Sequence, residues 1–272
     1  MTAAAARTSA LVVGLAQLGW VALIPLHPPV AVWLPAYLVL FALEVGGPWA
    51  VDRTHGRLPW HAHHIAERYG LLVIIALGEG VVGTVVSTQS LIQTQGWSVA
   101  AAVLAVGGVT LTMGMWWIYF AAPFGWLLER RPGRALSFTY AHIPLLAAVA
   151  GVGAGLHVAA YDAEGVGHLT PALVVATTAA PVAVFWLSAL WLYHHLVPGR
   201  DRVHVVGSLG VALGLAGGIV LAAAGVPVAY ALAVVVLAPW VNVVGYETVG
   251  HRAVTDNLRR VAAGSPGSDA HG

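Results

Sequence analysis

Four polar side chains interrupt the long apolar stretches of this chain where an ionisable or amide group could do chemistry: Glu44, Glu79, His142 and Asn242. Ionisable groups inside a membrane are costly and as a rule face an interior or a water-filled cavity. Each is therefore a candidate to bind or relay a proton, a cation or a small solute. Glu79 stands in Leu77-Gly78-Glu79-Gly80, where two glycines leave room for a neighbouring helix, a water or an ion. Its carboxyl group could exchange a proton as its surroundings hydrate, with Glu44 and His142 as relay or ligand partners. The plainer reading of each group is a side chain bonded across to another helix as packing glue. His194 and His195, together at the end of an apolar stretch, fit an interfacial position.

A second chemistry is suggested by His61-Ala62-His63-His64-Ile65-Ala66-Glu67-Arg68. His64 and Glu67 are spaced i, i+3 and share a helix face. Together with His63 they could hold a zinc-like ion and make an intramembrane enzyme. The spacing is not His-Glu-x-x-His, and no distant third ligand stands out. A helix start explains the segment more simply, with Glu67 at the positive end and Arg68 reaching the headgroups. No catalytic group, metal or cofactor is assigned.

The elements that must position these groups are membrane helices. Of 272 residues, 59% are hydrophobic and 8% charged, against roughly 25% charged in a soluble domain. Several apolar runs exceed the roughly 20 residues that cross a bilayer. They lack the alternation of an outer-membrane strand. The expected class is an all-α polytopic membrane protein of about eight helices, near 8–24, 30–51, 69–91, 99–121, 136–160, 171–195, 203–224 and 228–249. These form one domain, 1–249, with a polar tail over 250–272. A net charge of +1 and the lack of a basic patch argue against nucleic acid as a partner. With no cysteine, disulfides and thiolate metal sites are excluded. Arg7 before an apolar run resembles a signal peptide, but the run ends in Pro25-Leu26-His27-Pro28-Pro29 and is taken as a retained helix.

All twelve basic side chains are arginines, and they fall in every second gap between the apolar runs. Arg7 precedes the first helix; Arg53, Arg57 and Arg68 follow the second; Arg130, Arg131 and Arg134 follow the fourth. Arg200 and Arg202 follow the sixth, and Arg252, Arg259 and Arg260 the eighth. By the positive-inside rule both termini are cytoplasmic and the membrane is the inner (plasma) membrane. At 1.5 Å per residue, Glu79 then lies about 15 Å deep, and Glu44, His142 and Asn242 about 10 Å deep on the cytoplasmic side. This predicts a polar pocket open to the cytoplasm with Glu79 as its deepest acid. Trp116, Trp117 and Tyr119 would wall it or anchor the helix at the interface.

The segment His64-Ile65-Ala66-Glu67-Arg68-Tyr69-Gly70, continuing through Leu77-Gly78-Glu79, resembles the signature of the bacterial low temperature requirement A family. Its matching landmarks include His64, Glu67, Arg68, Gly70, Gly78 and Glu79. Trp116-Trp117-Ile118-Tyr119-Phe120 and Tyr140-Ala141-His142 match two further landmarks in order. The resemblance implies a multi-pass membrane protein and leaves molecular activity open. Two departures stand out. The family's opening Glu-Leu-Phe-Phe-Asp-Leu helix has no counterpart, so the chain resembles the later part of a full member. Ala121 and Ala122 stand where the family tends to place an Asp. The leading expectation is a proton- or cation-linked transporter in contact with the lipid bilayer and a small ion or solute. The alternatives are a non-transporting structural or stress-tolerance membrane protein and a metal-dependent intramembrane enzyme.

Overall fold

The computed structural model describes residues 3–55, 61–197 and 202–262. Arg57, Trp60, Arg200, the Pro198–Asp201 break and the tail beyond residue 262 lie outside them. The described residues are helical and contain no strand. Among them, eight helical stretches are long and apolar enough to cross a membrane.

The chain divides into two compact units, Met1–His61 and Ala62–Gly272. The first is a hairpin of α1 (Ala3–Leu26) and α2 (Val30–His55). Pro28 and Pro29 cannot donate to a continuing helix, so α1 stops. The carbonyl of Pro29 then accepts from the amides of Val32 and Trp33 at 2.8 and 2.9 Å and starts α2.

The second unit contains α3 (Ala62–Gln95), α4 (Val99–Phe120), the short α5 (Phe124–Arg130), α6 (Ala135–Ala163), α7 (Pro171–Leu196), α8 (Arg202–Ala223), α9 (Val228–Gly245) and α10 (His251–Ala262). Its six long helices form a closed ring in the order α3, α6, α7, α8, α9, α4. The connections use ordinary cap chemistry. Gly96 adopts the left-handed conformation (φ 74°) that lets α3 end, and the Ser98 hydroxyl accepts from the amide of Ala101 to open α4. Thr170 caps α7 in the same way, with Pro171 in the first turn.

Several elements differ from the sequence expectation. Helix α3 begins at Ala62 rather than Tyr69. Its 34 residues span about 51 Å, well beyond a hydrocarbon slab of about 30 Å. The Ala62–Arg68 stretch thus forms the polar first turns of this helix, in keeping with the helix-start reading of that segment. The charged connection after α4 is largely helical as α5, and part of the polar tail is helical as α10. Hydropathy marks only the apolar part of a helix, so polar extensions beyond the membrane go unseen.

The tightest seam joins α6 and α7. Pro181 has no amide hydrogen, so the carbonyl of Thr177 loses its helical donor. Gly155 of α6 lies against that carbonyl: a Cβ there would fall 2.5 Å from the Thr177 oxygen. Only glycine allows the two backbones this close. Gly155→Ala is expected to destabilise the fold by about 1–3 kcal/mol through overpacking. Gly78→Ala, facing open space, should leave thermal unfolding in detergent unchanged or slightly raised. Equal melting of the two variants would contradict the seam.

Candidate functional site

One end of the ring gathers the polar and aromatic groups. A cavity of about 80 Å³ is lined there by the end of α4 (Trp117, Ala121), the end of α7 (Trp186, Tyr193), the start of α8 (His204) and the end of α9 (Asn242, Tyr246). Trp186 and Tyr193 are seven residues apart, and Asn242 and Tyr246 four, so each pair shares a helix face. The α4–α6 connection with Arg130, Arg131 and Arg134 belongs to this same end, because Ser137 at the start of α6 bonds His195 at the end of α7 at 2.6 Å. At the opposite end Ser90 donates to Glu164 at 2.8 Å, and Gln95 to the carbonyl of Ala163 at 2.7 Å.

Asn242 is the polar centre of the cavity wall. A Cβ at Gly207 of α8 would collide with its Oδ1, so this glycine is what lets the amide sit between α8 and α9. Its Nδ2 is buried with no hydrogen-bond partner. His204 stacks on Tyr193 with ring centroids 4.6 Å apart, and His194 meets His204 edge-on at 5.3 Å. The cavity thus offers an amide, an imidazole and two phenols among aromatic faces, and among the described residues no carboxylate lines it.

His142 lies elsewhere and is sealed. It is fully buried, with Nδ1 2.7 Å from the carbonyl of Phe138 and Nε2 2.8 Å from the hydroxyl of Tyr119. A carbonyl can only accept, so Nδ1 carries the hydrogen and the neutral ring's Nε2 accepts from Tyr119. Tyr69 of α3 covers the ring at 4.3 Å and Phe138 at 4.5 Å. Both nitrogens are satisfied, which makes this a three-helix latch between α3, α4 and α6.

The two acids do not join it. Glu79 is at the middle of α3, about 200° around the helix from buried Leu77, and is exposed. It makes no hydrogen bond or ion pair among the described residues. Glu44 belongs to the first unit, where it accepts from Gln17 at 2.8 Å and from Trp20 at 3.1 Å and ties α1 to α2. Of the four candidates, Asn242 alone lines the cavity. Of the three aromatics, Trp117 lines it, Tyr119 is consumed by His142, and Trp116 stays partly exposed beside Phe120 at 5.5 Å.

The histidines at the start of α3 diverge. His63 lies 3.2 Å from Glu129 of α5, whereas His64 lies 3.6 Å from Glu67, all four well exposed. Among the described residues no group of three or more histidines and carboxylates is placed to hold a metal ion. The three-ligand site considered from the sequence therefore does not assemble: His63 points across to α5 and His64 along its own helix. Arg68 is exposed, and Gly70 is buried where Phe120 approaches.

With this geometry in view, the comparisons are clear on one point. The family model for bacterial low temperature requirement A protein matches residues 2–239. The chain belongs to that family. No curated protein and no solved structure matches it. In this low temperature requirement A protein the signature splits between three places: His64 and Glu67 at the exposed start of α3, Gly70 in the packed seam, and Glu79 on the outer face. Ala121 and Ala122 both line the cavity, so the departure at these positions leaves that wall apolar. The sequence reasoning passed over His204, Tyr193, Trp186 and Tyr246. A signal was available for His204, which follows an arginine-bearing break as His194 and His195 precede it.

The latch generates a test. Tyr119→Phe leaves a buried imidazole nitrogen without its donor and is expected to cost about 1–3 kcal/mol in thermal or denaturant unfolding. Adding His142→Leu should recover part of that loss, because removing both partners leaves no unsatisfied group. Additive losses in this double-mutant cycle would contradict the bond.

Proposed function

We propose that this low temperature requirement A protein sits in the bacterial inner membrane with both ends in the cytoplasm, and passes a proton or a small polar solute through the cavity around Asn242. The arginine-bearing connections support this orientation, and the cavity lies at their end of the ring. The observation that carries the reading is the Asn242 amide. A buried donor without an acceptor costs free energy, and the side chain that carries it lines a space large enough for several waters. A water or a solute oxygen at that spot would satisfy it. With an imidazole and two phenols nearby and no carboxylate among the described residues, the lining suits a water-borne proton or a small polar solute better than a bare metal cation.

In this reading Glu79 and Glu44 lie off the path. A second reading, a non-transporting structural or stress-tolerance role, is favoured by the closed bonding of His142 and Glu44, which act as packing ties. Vesicles that hold the purified protein and a luminal pH dye separate the two. Asn242→Leu is expected to slow protein-dependent proton flux about fivefold, the worth of one lost hydrogen bond, with Glu79→Gln having a smaller effect. Flux in Asn242→Leu equal to that of the parent protein removes the cavity from the path. Absence of flux in the folded parent, for protons and for small polar solutes alike, supports the second reading.

A further inference from the structure

Helix α10 follows α9 through a π-helical turn, Tyr246–Gly250, and so begins where a membrane-length helix ends. Its sequence places Val254, Asn257, Leu258 and Val261 in one stripe along its length. The start of that stripe rests on protein: Val254 is buried against the cavity end of the ring, and Asn257 is buried too. Farther along, Leu258 and Val261 are only partly covered, while Thr255, Asp256 and Arg259 are exposed on the other side. A 12-residue helix is marginal in water unless its apolar face is buried. Leu258 and Val261 keep an exposed edge on this face.

The polar side carries the complementary signal. Arg259 is 3.6 Å from Asp256, both highly exposed, a pairing that holds weakly in solvent. Arg252, seven residues earlier, shares the register of Arg259, and Arg260 follows it, so three arginines oppose one aspartate in this helix. The exposed edges of two aliphatic side chains are too small for a specific protein interface. They match the shallow contact of an interfacial helix whose basic side chains reach anionic headgroups.

We infer that α10 lies along the bilayer surface and binds anionic lipid headgroups, with the exposed edges of Leu258 and Val261 against acyl chains and its arginines on phosphates. The inference does not depend on solute passage through the cavity.

The chain has no cysteine, so Leu258→Cys provides a single thiol for an environment-sensitive fluorophore in the full-length protein. It is reconstituted in vesicles of phosphatidylcholine alone or of equal parts phosphatidylcholine and phosphatidylglycerol. The expected result is a blue-shifted emission and several-fold weaker acrylamide quenching in the anionic vesicles. The combined Arg252→Gln, Arg259→Gln and Arg260→Gln variant should lose both differences, and a label at Thr255→Cys should stay quenchable throughout. Identical behaviour of the Leu258→Cys label in the two vesicles would overturn the inference. So would retention of the difference in the triple arginine variant, or protection of the Thr255→Cys label instead.

Discussion

A hydrocarbon slab offers no hydrogen-bond partner, and the arrangement of this protein follows from that single constraint. Hydroxyls along the spans turn back on their own helices: Thr84 donates to the carbonyl of Gly80, Ser87 to Gly83, Thr112 to Gly108 and Ser188 to Val184. Larger polar groups reach across. Trp240 of α9 donates to the carbonyl of Thr110 of α4 at 3.2 Å, which it can reach because Gly114 has no side chain in the way. Glu44 is met by an amide and an indole, and His142 by a carbonyl and a phenol. The Asn242 amide nitrogen, like the hydroxyls of Thr88 and Thr178, is buried without such a partner.

The ring of helices is assembled by close approaches more than by interlocked large side chains. Lipid tails are as apolar as leucine, so association relies on packing and interhelical bonds. Gly155 against Thr177, Gly214 against Ala238 and Gly218 against the carbonyl of Ala231 bring the backbones of α6 and α7 and of α8 and α9 together. The bulky aromatics are displaced to the ends. At the arginine-bearing end they meet around His142 on one side of the ring and around Asn242 on the other.

The sequence made the class and helix number legible because apolar length is a direct consequence of bilayer thickness. It located the first break through Pro28-Pro29. It did not disclose the polar extension of α3, the short α5 or α10, since a helix outside the hydrocarbon carries no hydropathy signal. The site was legible only in part. Asn242 stood out as an amide in an apolar run, but depth along a helix says nothing about direction around it. His142 meets α3 at Tyr69, ten residues from Glu79, which stays exposed. His204 and Tyr193 converge only through the packing of α7 on α8, which one sequence does not encode in any local pattern.

The account rests on the cavity end of the ring facing the cytoplasm. Impermeant maleimide labelling of single-cysteine variants in intact cells tests this most directly, since the chain has no cysteine of its own. Gly133→Cys reports on the arginine-bearing connection between α4 and α6, and His168→Cys on the connection between α6 and α7. The account predicts labelling of His168→Cys in intact cells and of Gly133→Cys only after permeabilisation. Labelling of Gly133→Cys from outside, with His168→Cys protected, would contradict it.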